Sequence, residues 1–214
     1  MHTLLCYMIF WLETSMRTFV VFALLLLTLL GVTCFAQELK ASQTRVAIIP
    51  TVNTSGEKWE DLKSRQCATS NKYLRDEFSK RGFVVIDDKE VQQAIATLNV
   101  DMSDEEQHNR TTLYKVADAL KADLVVFAVV TDTNQKMQHQ LLSLKREGHS
   151  KVKLWLLNSK TQKPYISAKT VDGSSGGGFF ANLDKGSDRQ VIAVANALRD
   201  GLKDFFNPYP ALTK

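Results

Sequence analysis

The chain predicts a single α/β domain built on a mixed sheet in two or three layers, and three observations carry that prediction. Short apolar runs at Arg45-Val-Ala-Ile-Ile-Pro50, Phe83-Val-Val-Ile86 and Ala122-Asp-Leu-Val-Val-Phe-Ala-Val-Val-Thr131 have the length and β-branched content of strands buried on both faces. Between them lie segments with apolar residues at three- and four-residue spacings, the period of amphipathic helices. After the third run the period becomes two, with Val152, Leu154 and Leu156 alternating against Lys151, Lys153 and Trp155, as in a half-exposed strand. The predicted order is β-α-β-α-α-β-β-β-α over residues 45–208, with no internal repeat and no interdomain linker.

Each element has a local reason. Residues 37–44 are polar and aperiodic, a short tether, and 209–214 form a tail. Pro50 stops the first strand, and Thr51-Val-Asn-Thr-Ser-Gly56 has the composition of a loop. A helix is expected from about Glu57 to Arg81, with Trp59, Leu62, Tyr73, Leu74 and Phe78 on its buried side and Gly82 as its stop. Trp59 is therefore expected in the core. Asp87-Asp-Lys-Glu90 and Ser103-Asp-Glu-Glu106 have the form of capping boxes, in which side-chain oxygens satisfy the free amides of a helix start. The second box is expected to open the helix bearing Leu113, Val116, Ala117 and Leu120. Asn158–Pro164 reads as a turn joining two antiparallel strands, the second at Tyr165–Val171. Gly173-Ser-Ser-Gly-Gly-Gly178 reads as a flexible joint before the closing helix.

The amino terminus specifies a compartment. Arg17, the apolar run Phe19–Val32 and the small residue Ala36 are the basic, apolar and cleavage parts of a secretory signal. Residues 1–36 are read as that signal, cleaved after Ala36, with Met16 a more natural start than Met1. Two alternatives stand beside it. One is an uncleaved anchor. The other is lipidation at Cys34, where Leu30-Gly-Val-Thr-Cys34 approaches a lipobox but has Thr33 at the position usually held by Gly or Ala. The amino terminus is the only expected route to a membrane.

Charge and cysteine content exclude several functions. Lys and Arg number 27 against 23 Asp and Glu, a net +4 with no dense basic run, so a phosphate-tracking nucleic-acid face is not expected. Of Cys6, Cys34 and Cys67, only Cys67 survives cleavage, which leaves neither an intrachain disulfide nor a structural zinc site. His108, His139 and His149 lack a companion ligand at metal spacing and read as loop residues. The glycines at 173–178 have no Gly-Lys-Ser/Thr ending and no Gly-x-Ser-x-Gly elbow, so neither a phosphate cradle nor a nucleophile is expected. No catalytic, cofactor or metal site is predicted.

The strand Arg45–Pro50, the block Arg81-Gly-Phe-Val-Val-Ile-Asp87, the block Ala122-Asp-Leu-Val-Val-Phe127, and Leu154-Trp-Leu-Leu-Asn158 with Thr161 recur in an order that resembles the envelope proteins of the CsgG-like group and the amino-terminal domain of TolB. The resemblance spans about Arg45 to Pro208. It implies an accessory or interaction module of the cell envelope, acting on another envelope protein or on itself. Secretion channels of that group carry extra membrane hairpins. Asn134–His149 lacks sustained alternation and Val171–Gly186 is short and glycine-rich, so a non-channel relative is expected. The expected function is an exported, non-enzymatic interaction module. The alternatives are an exported small-ligand binder or hydrolase using the Gly-rich joint with Asp172 and Asp184, and a membrane-attached lipoprotein subunit. Candidate interface residues are Trp155 with Lys151 and Lys153 on its face of the strand, and Phe179 and Phe180. Trp155 is a contact residue if that face is open, and core if the closing helix covers it.

Overall fold

The first strand, β1 (Arg45–Ile48), lies between β3 (Val84–Val85) and β4 (Leu124–Gln140) and runs parallel to both. This computed structural model describes residues 39–140, 143–176 and 187–212, with the side chains of 137–146 and 187–188 excepted. The expected signal at 1–36, including Cys34, and Phe179, Phe180 and Asp184 lie outside the described residues. β4 continues into an antiparallel meander with β5 (Ser143–Asn158) and β6 (Lys163–Ser175), giving the order β3-β1-β4-β5-β6. The helices are α1 (Glu60–Lys80), α2 (Asp88–Thr97), α3 (Arg110–Ala119) and α4 (Ser187–Phe206).

The fold is α/β with an open mixed sheet, and its three layers follow from the pleat. Ala47, Ile49, Val125, Phe127, Val129, Trp155 and Leu157 face α2 and α3, and pack with Val91, Leu113, Val116 and Ala117. Val46, Ile48, Val126, Leu154 and Leu156 alternate with them, are equally buried, and face α1 and α4. A strand covered on both faces must be apolar at every position, which is why the middle runs show no alternation.

Three local expectations are corrected. Val52–Asn53 is a short strand, β2, paired parallel to Val129–Val130 of β4. Pro50 interrupts the strand without ending its alignment, because the chain rejoins β4 past β1. The α3 helix is capped by Asn109, whose side chain accepts from the Thr112 amide, while Asp104 caps only a short 3₁₀ turn at Glu105–Gln107. Asn134–His149, expected as an irregular polar segment, is ladder throughout its described length, with Asp132↔Lys151 through Gln140↔Ser143 in register. Strand alternation appears in a sequence only where one face is buried. This arm extends past the end of β6, whose last pair is Gly148↔Ser175.

Candidate interaction surface

The face of β5 that carries Lys151, Lys153 and Trp155 is covered over only part of its length. Trp155 is 2% exposed. Its ring lies 5.3 Å from Phe127 and 6.4 Å from His108, within the cluster under α2 and α3. Of the two readings of Trp155 the core one holds, so it is not a contact residue, and the cover is α2 and α3 rather than the closing helix. Lys151 lies beyond that cover, exposed, 3.8 Å from Asp132. Lys153 marks the boundary, with its Nζ 5.2 Å from the centre of the Trp155 ring. His108 is also less free than a loop residue, since its Nε2 lies 2.8 Å from the Met102 carbonyl oxygen and its ring 5.0 Å from that of Phe127.

The Gly-rich stretch is not a joint over residues 173–175. These residues finish β6, and the absence of a side chain at Gly173 admits α4. A Cβ there would meet the Ala193 carbonyl oxygen at 2.0 Å, and one at Gly148 would meet the Arg189 carbonyl carbon at 2.4 Å. Around the glycines, Ser150 Oγ donates to the Gln190 carbonyl at 3.1 Å, Ser175 Oγ donates to the Arg189 carbonyl, and Asn196 Nδ2 donates to the Ser174 carbonyl at 2.7 Å. Helix backbone fills the space an anion cradle would need. Asp172 is exposed on the edge strand, opposite Lys151 in the ladder.

At the carboxyl ends of the parallel strands, where open α/β sheets commonly place a ligand, this chain has a closed network of neutral side chains. Thr51 Oγ1 and Ser70 Oγ are 2.6 Å apart, and Asn71 Oδ1 accepts from the Thr51 amide. Asn53 Nδ2 donates to Gln66 Oε1 at 2.7 Å, and Gln66 Nε2 donates to Thr133 Oγ1 at 2.9 Å. Gln66 and Ser70 are fully buried. Buried amides and hydroxyls satisfied in this way pin α1 to β2 and to the base of the arm, and supply neither an ionised group nor a nucleophile. Among the described residues, no group of three His, Cys, Asp or Glu could hold a metal ion.

The exposed aromatic that residue patterning missed is Trp59, 73% accessible at the amino-terminal cap of α1. Its backbone is extended (φ −96°, ψ 101°) and the helix begins one residue later, so Trp59 leaves the stripe that Leu62, Leu74 and Phe78 follow. The Glu57 carboxylate accepts from the amides of Lys58 and Trp59 at 2.8 and 3.1 Å. The signal that could have found it is the position itself, three residues past Gly56 and just ahead of Glu60-Asp61, the acidic first turn that suits a helix start.

Two clefts flank α4. A groove of about 380 Å³ runs between Tyr165–Lys169 of β6 and Gly201, Asp204 and Phe205. A smaller one, about 180 Å³, lies between α1 and α4 and includes Tyr73, Glu77, Arg81 and Lys203. In it the Arg81 guanidinium bonds Glu77 and lies 4.1 Å above the Phe206 ring. Burial, reinforced by the Glu77 charge, pushes the Tyr73 hydroxyl up to about 12. Burial also raises the Cys67 thiol, as expected of a packed cysteine rather than a reactive one.

No protein-family model matches the chain, and comparison with curated proteins gives no match. Solved structures of similar fold include lipoprotein GNA1162 from Neisseria meningitidis, at 16% identity and a TM-score of 0.46 over 73% of this chain and 99% of that one. Another is the hypothetical protein CT253 from Chlamydia trachomatis, at 15% identity and a TM-score of 0.45 over 76% and 95%. A third is the carboxyl-terminal domain of LpoB from Salmonella enterica, at 11% identity and a TM-score of 0.41 over 65% and 87%.

Proposed function

We propose that this chain is an exported, non-enzymatic interaction module of the cell envelope, a non-channel relative of the CsgG-like and TolB amino-terminal group. The observation that carries the proposal is Trp59. A large aromatic left 73% exposed at a helix start is of the kind that anchors protein contacts. The helix it opens is tied by Gln66 to β2 and to the base of the arm, through Asn53 and Thr133. The sequence supports export through the segment ending at Ala36. The hydrolase alternative is weakened because α4 occupies the space beside Gly173.

The test is site-specific photo-crosslinking in envelope fractions with the crosslinker at position 59, compared with one on the far exposed face of α1 at Lys72. A discrete adduct at 59 that Trp59→Ala competitor fails to displace, and wild-type competitor displaces, supports the proposal. A monomer with no adduct refutes it. Mass spectrometry of the mature protein separates the attachment alternatives, since a free terminus near Gln37 excludes both the anchor and lipid on Cys34.

A further inference from the structure

Among the described residues, the outer edge of β6 is unpaired. β6 is last in the sheet order, so its backbone groups that point away from β5 have no ladder partner among the described residues. Natural edges are commonly guarded by bulges, prolines and charges, and here the guards are unevenly placed. Pro164 and two register shifts, with Ala168 at φ 53°, are confined to residues 164–168. From Lys169 to Ser175 the pairing with Leu154–Gly148 is uninterrupted, a regular strip with neither bulge nor proline.

Beside the start of that strip lies the groove of about 380 Å³. Gly201 sets its depth, because a Cβ there would lie 3.0 Å from Val171 Cγ2 and 3.2 Å from Leu154 Cδ2, so α4 sits low on the sheet. Tyr165, 47% exposed with its ring 5.1 Å from Phe205, forms an apolar wall. A strand edge next to a groove beneath a helix is the arrangement that accepts an extended peptide, with main-chain bonds supplying affinity and the groove receiving one side chain.

Charge selects the occupant. No carboxylate occurs between Ser159 and Val171, whereas Lys160, Lys163 and Lys169 do, and the acid within the strip, Asp172, stands opposite Lys151 in the ladder. Lys160 is paired with Asp123 at 2.8 Å. Lys163 and Lys169 are exposed, with no ion-pair partner among the described residues, and Arg110 Nε donates to Ser167 Oγ on the strand between them. Asp204, across the groove, is the acid among the groove residues. A second copy would bring the same basic edge, whereas an acidic strand neutralises it.

We propose that the β6 edge and its groove take an extended, acidic segment of a partner protein by strand addition. This rests on the reading of the chain as an interaction module, but uses a surface separate from Trp59. The experiment uses the mature chain and an acetylated decapeptide alternating Glu with Val and Phe. Its controls are the same peptide with Lys for Glu and one N-methylated at alternate residues. The expected result is saturable binding of the Glu peptide in fluorescence anisotropy, with slowed amide exchange confined to 169–175. The N-methylated and Lys peptides do not bind. Lys163→Glu with Lys169→Glu, both at exposed positions, weakens binding about tenfold or more. Trp59→Ala binds the peptide unchanged, so failure at position 59 and failure at β6 are told apart. No saturable binding, equal binding of the Lys peptide, or edge protection already present through self-association without peptide overturns the proposal.

Discussion

The two ends of α4 are held to the sheet by opposite means. Over its first three turns the helix backbone rests on Gly148, at Arg189, and on Gly173, at Ala193 and Ala197, tied by hydroxyls of Ser150 and Ser175 to the carbonyls of Gln190 and Arg189. At its end Phe205 and Phe206 enter a ring cluster, with Phe78 4.9 Å from Phe206 and 6.0 Å from Phe205, Phe83 5.3 Å from Phe78, and Tyr209 5.5 Å from Phe205. The first contact works by close approach and has no room for an added atom. The second works by apolar area removed from water and loses most when atoms are taken away. One helix thus has an end that fails on addition and an end that fails on deletion.

The largest effect is expected at the aromatic end. Phe78→Ala removes a fully buried ring from among three others and lowers stability by about 4 kcal/mol, measured by urea unfolding. At the other end Gly173→Ala places a methyl against fixed helix backbone and costs about 2–3 kcal/mol. If Gly173→Ala proved harmless, the close-approach account of the amino-terminal end would be wrong. Ser150→Ala deletes one hydroxyl donor from the same contact without adding volume, and is expected to cost about 1 kcal/mol.

A smaller effect separates the ends by pH. The Tyr73 hydroxyl, raised in the fold to about 12 from an ordinary value of 10, keeps its proton more tightly folded than unfolded. Its contribution is complete below pH 10 and is lost as pH rises toward about 12. Tyr73→Phe therefore flattens the alkaline limb of the stability curve, while Ser150→Ala leaves its shape unchanged. The smallest stability effect is expected at Trp59→Ala, within about 0.5 kcal/mol, because the ring contributes to neither contact. A larger loss would place Trp59 in the fold and remove it from the surface.

The two tryptophans show how far pattern reading reaches. Periodicity placed Trp59 at the start of a buried stripe and left Trp155 open between core and surface. In the structure Trp59 is exposed and Trp155 is buried. A stripe of apolar residues reports the side of a helix that faces inward, but not the residue at which helical geometry begins. Alternation likewise assigns Lys151, Lys153 and Trp155 to one face of β5, but not the point at which α2 and α3 stop covering it. Similarly, Gly173 was visible as a residue without a Cβ. Whether that freedom served a flexible turn or a close contact depended on α4, a distant part of the chain.

What residue order settled was the element list apart from β2, and the identity of the central strands, because burial on both faces of β1 and β4 demands unbroken apolar runs and the helices between them demand stripes. The charge balance and the cysteine count came from composition alone. The tertiary structure decided the length of the β4–β5 arm, the cover over Trp155, the exposure of Trp59 and the edge position of β6. Each of these is set by where a layer ends. Local periodicity records whether a residue meets apolar neighbours, whereas a layer's end is fixed by the lengths and angles of elements packed from elsewhere in the chain.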